Sequence, residues 1–393
     1  MRHASEKQPR VLVVHNAYQQ RGGEDQVVEA EVSLLRAHGH AVELYQRHND
    51  ELADMGALAA AKDTVWSSQT GADVGRLIAE FRPDVVHVHN TFALISPSVY
   101  AAVVRSRVPV VQTLHNFRLL CSQATFLRNG QVCEDCLGRF PWRGVLHRCY
   151  HGSAPQSAVV AAMIGLHRAI GTYQKKVSRY IALTEFSRSK FIAGGLPAER
   201  IAVKSNFVDV PALVDGLPRF GALFVGRLSS EKGTQVLARA AAKGLPAVID
   251  VVGVGPELSS LQGVPGLRLL GWLDQPAVYA RMREASYLVL PSICYESFPL
   301  TVVEAFANGL PVIASRLGSI AELVREGETG LMFEAGNVDD LAEKLAWAEA
   351  HPADMARMGR AARYEYESKY TPERNYKVLM DVYRAAIGTT RYE

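Results

Sequence analysis

Short apolar runs rich in β-branched residues alternate with helix-forming segments along the whole chain, and that alternation restricts the fold more than any other feature. In the first half the runs are Val11–Val14, Val42–Tyr45, Asp84–Val88, Val110–Leu114 and Tyr180–Leu183. In the second half they are Ala222–Val225, Ala247–Val252, Leu267–Leu270, Tyr287–Leu290 and Val312–Ala314. Strands separated by helices pair in parallel and are covered on both faces. The expected fold class is therefore α/β, with two sets of five strands forming two doubly wound sheets. A length of 393 residues agrees, being too long for one ordinary core and short for three. Ligands of such sheets sit beyond the carboxyl ends of the strands, so the site is expected where two domains face each other across a cleft.

The domains are expected at 1–205 and 206–371, joined through the Pro-, Gly- and Asp-rich stretch Phe207–Pro218. The closing segment 372–393 has Tyr376, Leu379, Val382 and Tyr383 at helical spacing. It either packs back across the linker or ends the second domain. Hydrophobic residues at 48% and charged residues at 21% exclude disordered and collagen-like classes.

The net charge of +3 is small, but positions 1–200 carry six more cationic than anionic side chains, and the remainder is mildly acidic. A basic first half suits an anionic partner such as a membrane surface or a phosphate-bearing acceptor, with solvated surface as the plain alternative. The start, MRHASEKQPR, lacks the apolar core of a signal peptide, and the nearly uncharged stretch Gly152–Leu166 is shorter than a bilayer span of about 20 residues. A cytoplasmic protein with reduced cysteines is expected.

The stretch PSICYESFPLTVVEAFANGLPVIAS, 291–315, reads strand, loop, helix, turn, strand. Ser297 suits an N-cap, Pro299 the first helical turn, and Gly309 a left-handed stop, so a helix is expected from about Phe298. The backbone around Ser297, Phe298, Pro299 and Leu300 would present N–H groups and the positive end of the helix dipole to a diphosphate or sugar hydroxyl. Glu296 lies just ahead of that helix and Glu304 in its second turn, so both carboxylates can meet one ligand, one at the sugar and one at the ribose.

In FVGRLSSEKG, 224–233, a strand is followed by Arg227 and Lys232. Arg grips diphosphate oxygens in a fork and Lys adds a point charge, each charge-assisted bond contributing about 1.5–3 kcal/mol. In the first half a strand leads to Gly22 and Gly23, where absent side chains let a ligand approach the backbone, or where the chain simply turns. Gly253 and Gly255 in VVGVGPE, and Leu273 in GWLDQ, follow two later strands and offer backbone groups to base and ribose. The first of these lacks the third glycine and the downstream acid of a dinucleotide fingerprint.

Glu296 and Glu304, with seven residues between them, resemble the paired-glutamate signature of the family-four retaining glycosyltransferases with the GT-B fold. The following GLPVIAS and the later GETGLMF, 327–333, are similar to the same family's C-terminal domain. The resemblance implies two Rossmann-like domains, an N-terminal acceptor-binding one and a C-terminal nucleotide-sugar-binding one. It implies a retaining, metal-independent hexosyltransferase that uses a nucleotide diphosphate sugar, with a saccharide or polyprenyl-linked acceptor in cell-surface polysaccharide, lipopolysaccharide or glycolipid synthesis. Arg227 and Lys232 would do the work of a metal, Gly22 and Gly23 would contact donor phosphate and acceptor, and His115 in VVQTLHN would touch the transferred sugar. His15, His87 and His89, also at strand ends, read as structural.

Two segments depart from that pattern. A Cys-rich insertion, 117–151, carries Cys121, Cys133, Cys136 and Cys149, and its CEDC spacing admits a structural zinc or ordinary thiols. KSNFVD, 204–209, replaces a commoner Pro-Asn-Gly-Val-Asp, which implies altered hinge geometry. Peripheral contact with an anionic membrane on the cytoplasmic face is expected of Leu166–Tyr180, where Arg168, Lys175, Lys176 and Arg179 accompany apolar residues, unless it is an ordinary covering helix. Two alternatives to the transferase stand open: a two-domain nucleotide-sugar epimerase, and a zinc-bearing module that binds nucleic acid. The weak overall charge speaks against the second.

Overall fold

The computed structural model describes residues 8–210, 218–244 and 247–390. Most of the expected linker, residues 211–217, lies outside them. The chain divides into two compact units. The first gathers the chain up to Ala124, Glu134–Lys204 and everything from Asn375 onward; the second gathers Thr125–Cys133 and Ser205–Arg374.

The strands of the first unit begin with β1 (Val11–Ala17), β2 (Val42–His48), β3 (Val85–Asn90) and β4 (Val110–Leu114). A short antiparallel hairpin follows, β5 (Leu127–Arg128) and β6 (Gln131–Val132), which groups with the second unit. Then come β7 (Arg179–Ala182) and β8 (Ile201–Val203). The sheet of the first unit is parallel throughout, in the order β2-β1-β3-β4-β7-β8. β1, β3 and β4 are buried along their full length, which is why their sequences are apolar runs rather than alternating patterns.

The second unit carries β9 (Ala222–Val225), β10 (Ile249–Val252), β11 (Leu267–Gly271), β12 (Tyr287–Leu290), β13 (Val312–Ser315) and β14 (Gly330–Phe333). It is parallel in the order β11-β10-β9-β12-β13-β14. Each sheet thus has six strands where five were expected. The additions are β8, only three residues long, and β14, which lies inside the GETGLMF motif.

In both sheets the strand order reverses direction beside the unit's first strand. The reversal falls between β1 and β3 in the first unit and between β9 and β12 in the second. At such a point the connections leave to opposite sides and open a crevice at the carboxyl ends. Sheet order alone therefore directs attention to the loops after β1 and β3, and to those after β9 and β12.

Two local expectations are corrected. The helix after β12 runs Leu300–Ala307 with Pro299 at its N-cap position, so Ser297 is not the cap and the turn starts two residues later than expected. Proline fixes φ near the helical value but has ψ 96° here, which holds the first helical turn back to Leu300. Its C-terminal stop is at Gly309, with φ 63°. Leu166–Tyr180 is not one amphipathic helix. Helix Ala154–Ala169 ends there, Gly171 turns with φ 72°, the short helix Thr172–Lys175 follows, and β7 begins at Arg179.

The closing helix is Pro372–Thr390. Within the first unit its Tyr376 hydroxyl lies 2.9 Å from His40 Nε2 and its Tyr383 hydroxyl 2.8 Å from His87 Nδ1.

Candidate active site

In the second unit, the loop after β9 carries Arg227 and Lys232 and the loop after β12 carries Glu296. Gly233 joins these loops: its φ is +71°, and a Cβ placed on it would stand 1.8 Å from the Pro291 carbonyl oxygen. Only glycine permits that approach, so the chain at Lys232 is pressed against the end of β12. A second tie is the Ile293 N–H, which donates to the Glu231 carbonyl at 3.0 Å. The result is an ion pair, Lys232 Nζ to Glu296 Oε2 at 2.9 Å, with the Ser292 hydroxyl donating to the other carboxylate oxygen.

Burial disfavours the charge on Lys232, but the facing Glu296 carboxylate together with Cys294 and Glu231 outweighs it and holds the ammonium above its ordinary pKa. Lys232 is thus a committed cation. Arg227 is exposed, and no side-chain hydrogen bond or ion pair engages its guanidinium among the described residues. One cation is paired and the other available, an arrangement suited to an entering dianion.

Glu304 is buried on the helix after β12, where the polar side chains acting on its carboxyl are Gln275 and Tyr279 rather than Lys232. Burial pushes its pKa up to about 7, against the lowering effect of Gln275 and Tyr279. The two glutamates therefore differ in kind: Glu296 faces a cation, and Glu304 is a carboxyl poised between acid and carboxylate.

Gly253 and Gly255 serve packing. A Cβ on either would stand 1.9 Å from the Gly226 carbonyl oxygen or 2.3 Å from that of Leu228. Their loop instead lies flat against the Arg227 loop, held by Gly226 N–H to Val252 O at 3.0 Å and Leu228 N–H to Val254 O at 2.9 Å. Leu273 is half-buried after β11, one residue before Asp274, which caps the helix Gln275–Glu284. Phe298 is buried, its ring edge-on to Tyr370 at 6.1 Å. The hairpin β5–β6 belongs to this site as well: Tyr295 N–H donates to Thr125 O at 3.2 Å, and Phe126 packs on the Tyr295 ring beside Glu296.

In the first unit, His15 of β1, His87 and His89 of β3, and His115 just after β4 come together with Asp25 and Glu31 of the helix Gly23–Ala37. The Glu31 carboxylate lies 3.0 Å from His87 Nδ1, 3.4 Å from His89 Nε2 and 2.9 Å from Lys204 Nζ. Burial opposes its ionisation, but Lys204 and the adjacent histidines hold it well below the usual carboxylate range. Lys204, which opens the divergent KSNFVD segment, is thus the buried counter-cation of this cluster, with Asn375 Oδ1 at 3.0 Å.

The ionisation states fix the tautomers. Burial, reinforced by neighbouring histidines, depresses His89 to about 3 and His115 well below its ordinary value, so both are neutral near pH 7. An ionised Glu31 only accepts, so the His89 nitrogen facing it, Nε2, carries the proton. His89 Nδ1 is then an acceptor and receives the His115 Nε2–H across 2.9 Å. That leaves His115 Nδ1 as a lone-pair acceptor, able to receive a hydroxyl proton in a hydrogen bond.

Glu24 was not singled out from sequence. Tyr18 and Asn116 donate to its Oε2 at 3.0 and 3.2 Å, and its buried Oε1 has no hydrogen-bond partner. Burial raises its pKa to about 7. Asp25 beside it is bound by His15 Nε2 at 2.8 Å and by the Gly22 N–H at 2.9 Å, and is held below its ordinary value by those bonds, which outweigh burial. Gly22 itself is extended, with φ −121° and open space where a Cβ would stand, so neither backbone nor packing demands glycine there. Gly23, the first residue of the helix, is exposed.

Among the described residues the cysteines bring no three ligand atoms within 4.8 Å of one another. Among the described residues the side chains that bring three ligand atoms within 4.8 Å of one another are Glu31, His87 and His89, and there the ammonium of Lys204 already meets the carboxylate. The CEDC segment is held by ion pairs of its two acids, Glu134 to Lys190 at 2.6 Å and Asp135 to Arg143 at 3.5 Å.

A family model described as glycosyltransferase family 4 matches residues 21–211, and one described as glycosyl transferases group 1 matches residues 219–350. The chain belongs to the family-four, group 1 glycosyltransferases. A family relative, the phosphatidyl-myo-inositol mannosyltransferase of Mycobacterium leprae, is 32% identical over 222 residues, covering 51% of this chain and 57% of that protein. The sulfoquinovosyl transferase SQD2 of Arabidopsis thaliana is 26% identical, covering 79% of this chain and 58% of its own. The chain thus matches a little over half the length of these two relatives. Among solved structures, Anabaena HepE in complex with UDP and glucose superposes with a TM-score of 0.67 at 18% identity, covering 95% of this chain and 98% of that one. Sucrose-phosphate synthase from Thermosynechococcus elongatus reaches 0.71 at 16% identity, with 97% and 100% covered. The family's GT-B fold, two Rossmann-like α/β domains, is the fold of this chain.

Proposed function

We propose that the chain transfers a hexose from a nucleoside diphosphate sugar to a saccharide or lipid-linked acceptor with retention of anomeric configuration. The observation that carries this reading is the Lys232–Glu296 pair, locked by Gly233 at the switch point of the second sheet with the exposed Arg227 on the same loop. Arg227 and Lys232 neutralise the leaving diphosphate, which gives the reaction its independence of a metal. Glu296 orients the sugar and Glu304 binds the ribose hydroxyls. Backbone groups at Ser297, Phe298 and Leu300 complete the donor site.

The first unit supplies the acceptor side. His115 Nδ1 accepts from a hydroxyl of the transferred sugar, the loop at Gly22 and Gly23 lies along the diphosphate and acceptor, and Glu24 Oε1 takes an acceptor hydroxyl. The acceptor oxygen bonds to the anomeric carbon on the face the phosphate leaves, the carbon–phosphate-oxygen bond breaks, and the hydroxyl proton passes to the departing phosphate oxygen. The reading places the enzyme in glycolipid or polysaccharide synthesis, peripherally on the cytoplasmic face of the membrane.

The test is a panel of UDP, GDP and ADP sugars incubated with the protein in EDTA, following nucleoside diphosphate release, with Glu296→Gln alongside. Release from one donor, abolished in the variant and increased by a lipid extract, is the expected result. Free nucleotide accompanied by an altered sugar and no acceptor dependence would show an epimerase instead. Release from no donor would overturn the reading.

A further inference from the structure

Helix Ala154–Ala169 has only one full charge, Arg168, yet it is not a buried helix. One face packs inward: Val160, Met163 and Ile164 contact Phe92 and Ala93, just beyond His89 at the carboxyl end of β3. The opposite face, Pro155, Ala158, Ala162, Leu166 and Ala169, is exposed and uncharged. A surface helix of a soluble protein is ordinarily polar on that side.

The preceding segment packs against the same helix and is itself rich in exposed apolar side chains. Phe140 lies over Gly165, where an added Cβ would stand 2.0 Å from the ring, and the short helix Trp142–Leu146 packs on the longer one. Phe140, Trp142, Leu146, Leu166 and Ile170 are 57%, 54%, 65%, 46% and 51% exposed. Single exposed apolar residues are ordinary; five large ones on two helices that pack together and on the residues beside them are not.

Charge around the patch has one sign. From Cys136 to Thr184 there is no Asp or Glu, while Arg139, Arg143, Arg148, Arg168, Lys175, Lys176 and Arg179 are all present. The nearest acids in sequence, Glu134 and Asp135, are already paired with Lys190 and Arg143. A second copy of the chain set on this patch would bring like charges together, whereas an anionic surface would complement them.

We propose that the exposed face of Ala154–Ala169, with Phe140, Trp142 and Leu146, is a docking surface for an anionic lipid bilayer. The aromatic and aliphatic side chains enter the headgroup boundary, and Arg139, Arg148, Lys175 and Lys176 meet lipid phosphates. The chain rests on the surface there, since no helix among the described residues is long and apolar enough to cross a membrane. Because the inward face of the same helix packs beside the end of β3, docking would bring the acceptor side of the first unit to the lipid. That consequence rests on the transferase reading; the docking itself does not.

The experiment is co-sedimentation of the full chain, without donor, with vesicles of phosphatidylcholine alone and of phosphatidylcholine mixed with phosphatidylglycerol. Binding is expected to the mixed vesicles, to fall with added salt, and to weaken about fivefold for each of Arg139→Glu and Lys175→Glu. Leu146→Glu combined with Leu166→Glu should abolish it with no change in melting temperature or in donor hydrolysis measured without vesicles. No binding to anionic vesicles, or binding indifferent to the Leu146 and Leu166 changes, would overturn the proposal. A dimer seen by sedimentation and broken by Leu166→Glu would assign the face to a second copy and overturn it too.

Discussion

At the end of β1 buried polar side chains gather around one carboxylate, while at the end of β9 an exposed arginine stands on the loop of a paired lysine. The first unit closes a buried circuit in which Glu31 faces Lys204 and two histidines, His89 receives His115, and His15 meets Asp25. The second offers a lysine with a single carboxylate partner and an exposed arginine. A buried cluster built on an ion pair holds its side chains in position; a surplus of cations attracts an anion. On the proposed reading, the same sheet architecture supplies an orienting surface in one unit and a phosphate-binding one in the other.

Substitutions can break that contrast. Glu31→Gln would leave the Lys204 ammonium buried without its counter-charge, so unfolding in urea should show a loss of about 3–5 kcal/mol. Lys232→Ala is expected to act on chemistry instead: single-turnover donor cleavage should fall roughly 100- to 1,000-fold while the urea midpoint moves little. A Glu31→Gln variant of unchanged stability, or a Lys232→Ala variant as active as the parent, would erase the distinction.

Among the described residues each unit has one carboxyl raised to about 7, Glu24 in the first and Glu304 in the second. Their folded values lie above the ordinary 4.5, so the fold favours the protonated forms. The stabilisation is full below pH about 4.5 and is lost as pH rises through about 7, on the order of 3 kcal/mol for each group. Glu24→Gln and Glu304→Gln should each flatten the dependence of unfolding free energy on pH across that window. Parallel curves for parent and variants would contradict it.

The smallest effects separate two glycines. Gly233→Ala meets both a left-handed backbone and the Pro291 carbonyl, and should cost at least about 1–3 kcal/mol. Gly22→Ala meets neither and should stay within about 0.5 kcal/mol of the parent, while lowering turnover because ligand uses that space. Thermal melts set beside donor cleavage distinguish the two.

The sheets were legible because buried parallel strands are written as continuous apolar runs; Val110–Leu114, Ala222–Val225 and Tyr287–Leu290 appear at the expected bounds. β8 escaped because three residues, Ile201–Val203, carry too little pattern. In the second unit Lys232 and Glu296 are motif residues close to the turns that aim them, so the sequence pointed to both. In the first unit the circuit is long-range: Lys204 reaches Glu31 across 173 positions and Tyr383 reaches His87 across 296. No local spacing announces such pairs. One signal was present: Glu31 occupies a core-facing position in the helix otherwise filled by Val27, Val28, Val32 and Leu35, where an acid needs a buried partner. Glu24 had no comparable mark, because its burial comes from Tyr18 and Asn116.

The central claim is that the nucleotide is held by the second unit's cations and not by the first unit's histidines. Calorimetric titration of UDP, GDP and ADP into the parent, Lys232→Ala and His115→Ala tests it directly. The account predicts that one nucleotide binds, that Lys232→Ala weakens it at least about tenfold, in line with a charge-assisted bond, and that His115→Ala leaves it unchanged. Equal affinity in Lys232→Ala, or a loss confined to His115→Ala, would contradict the account.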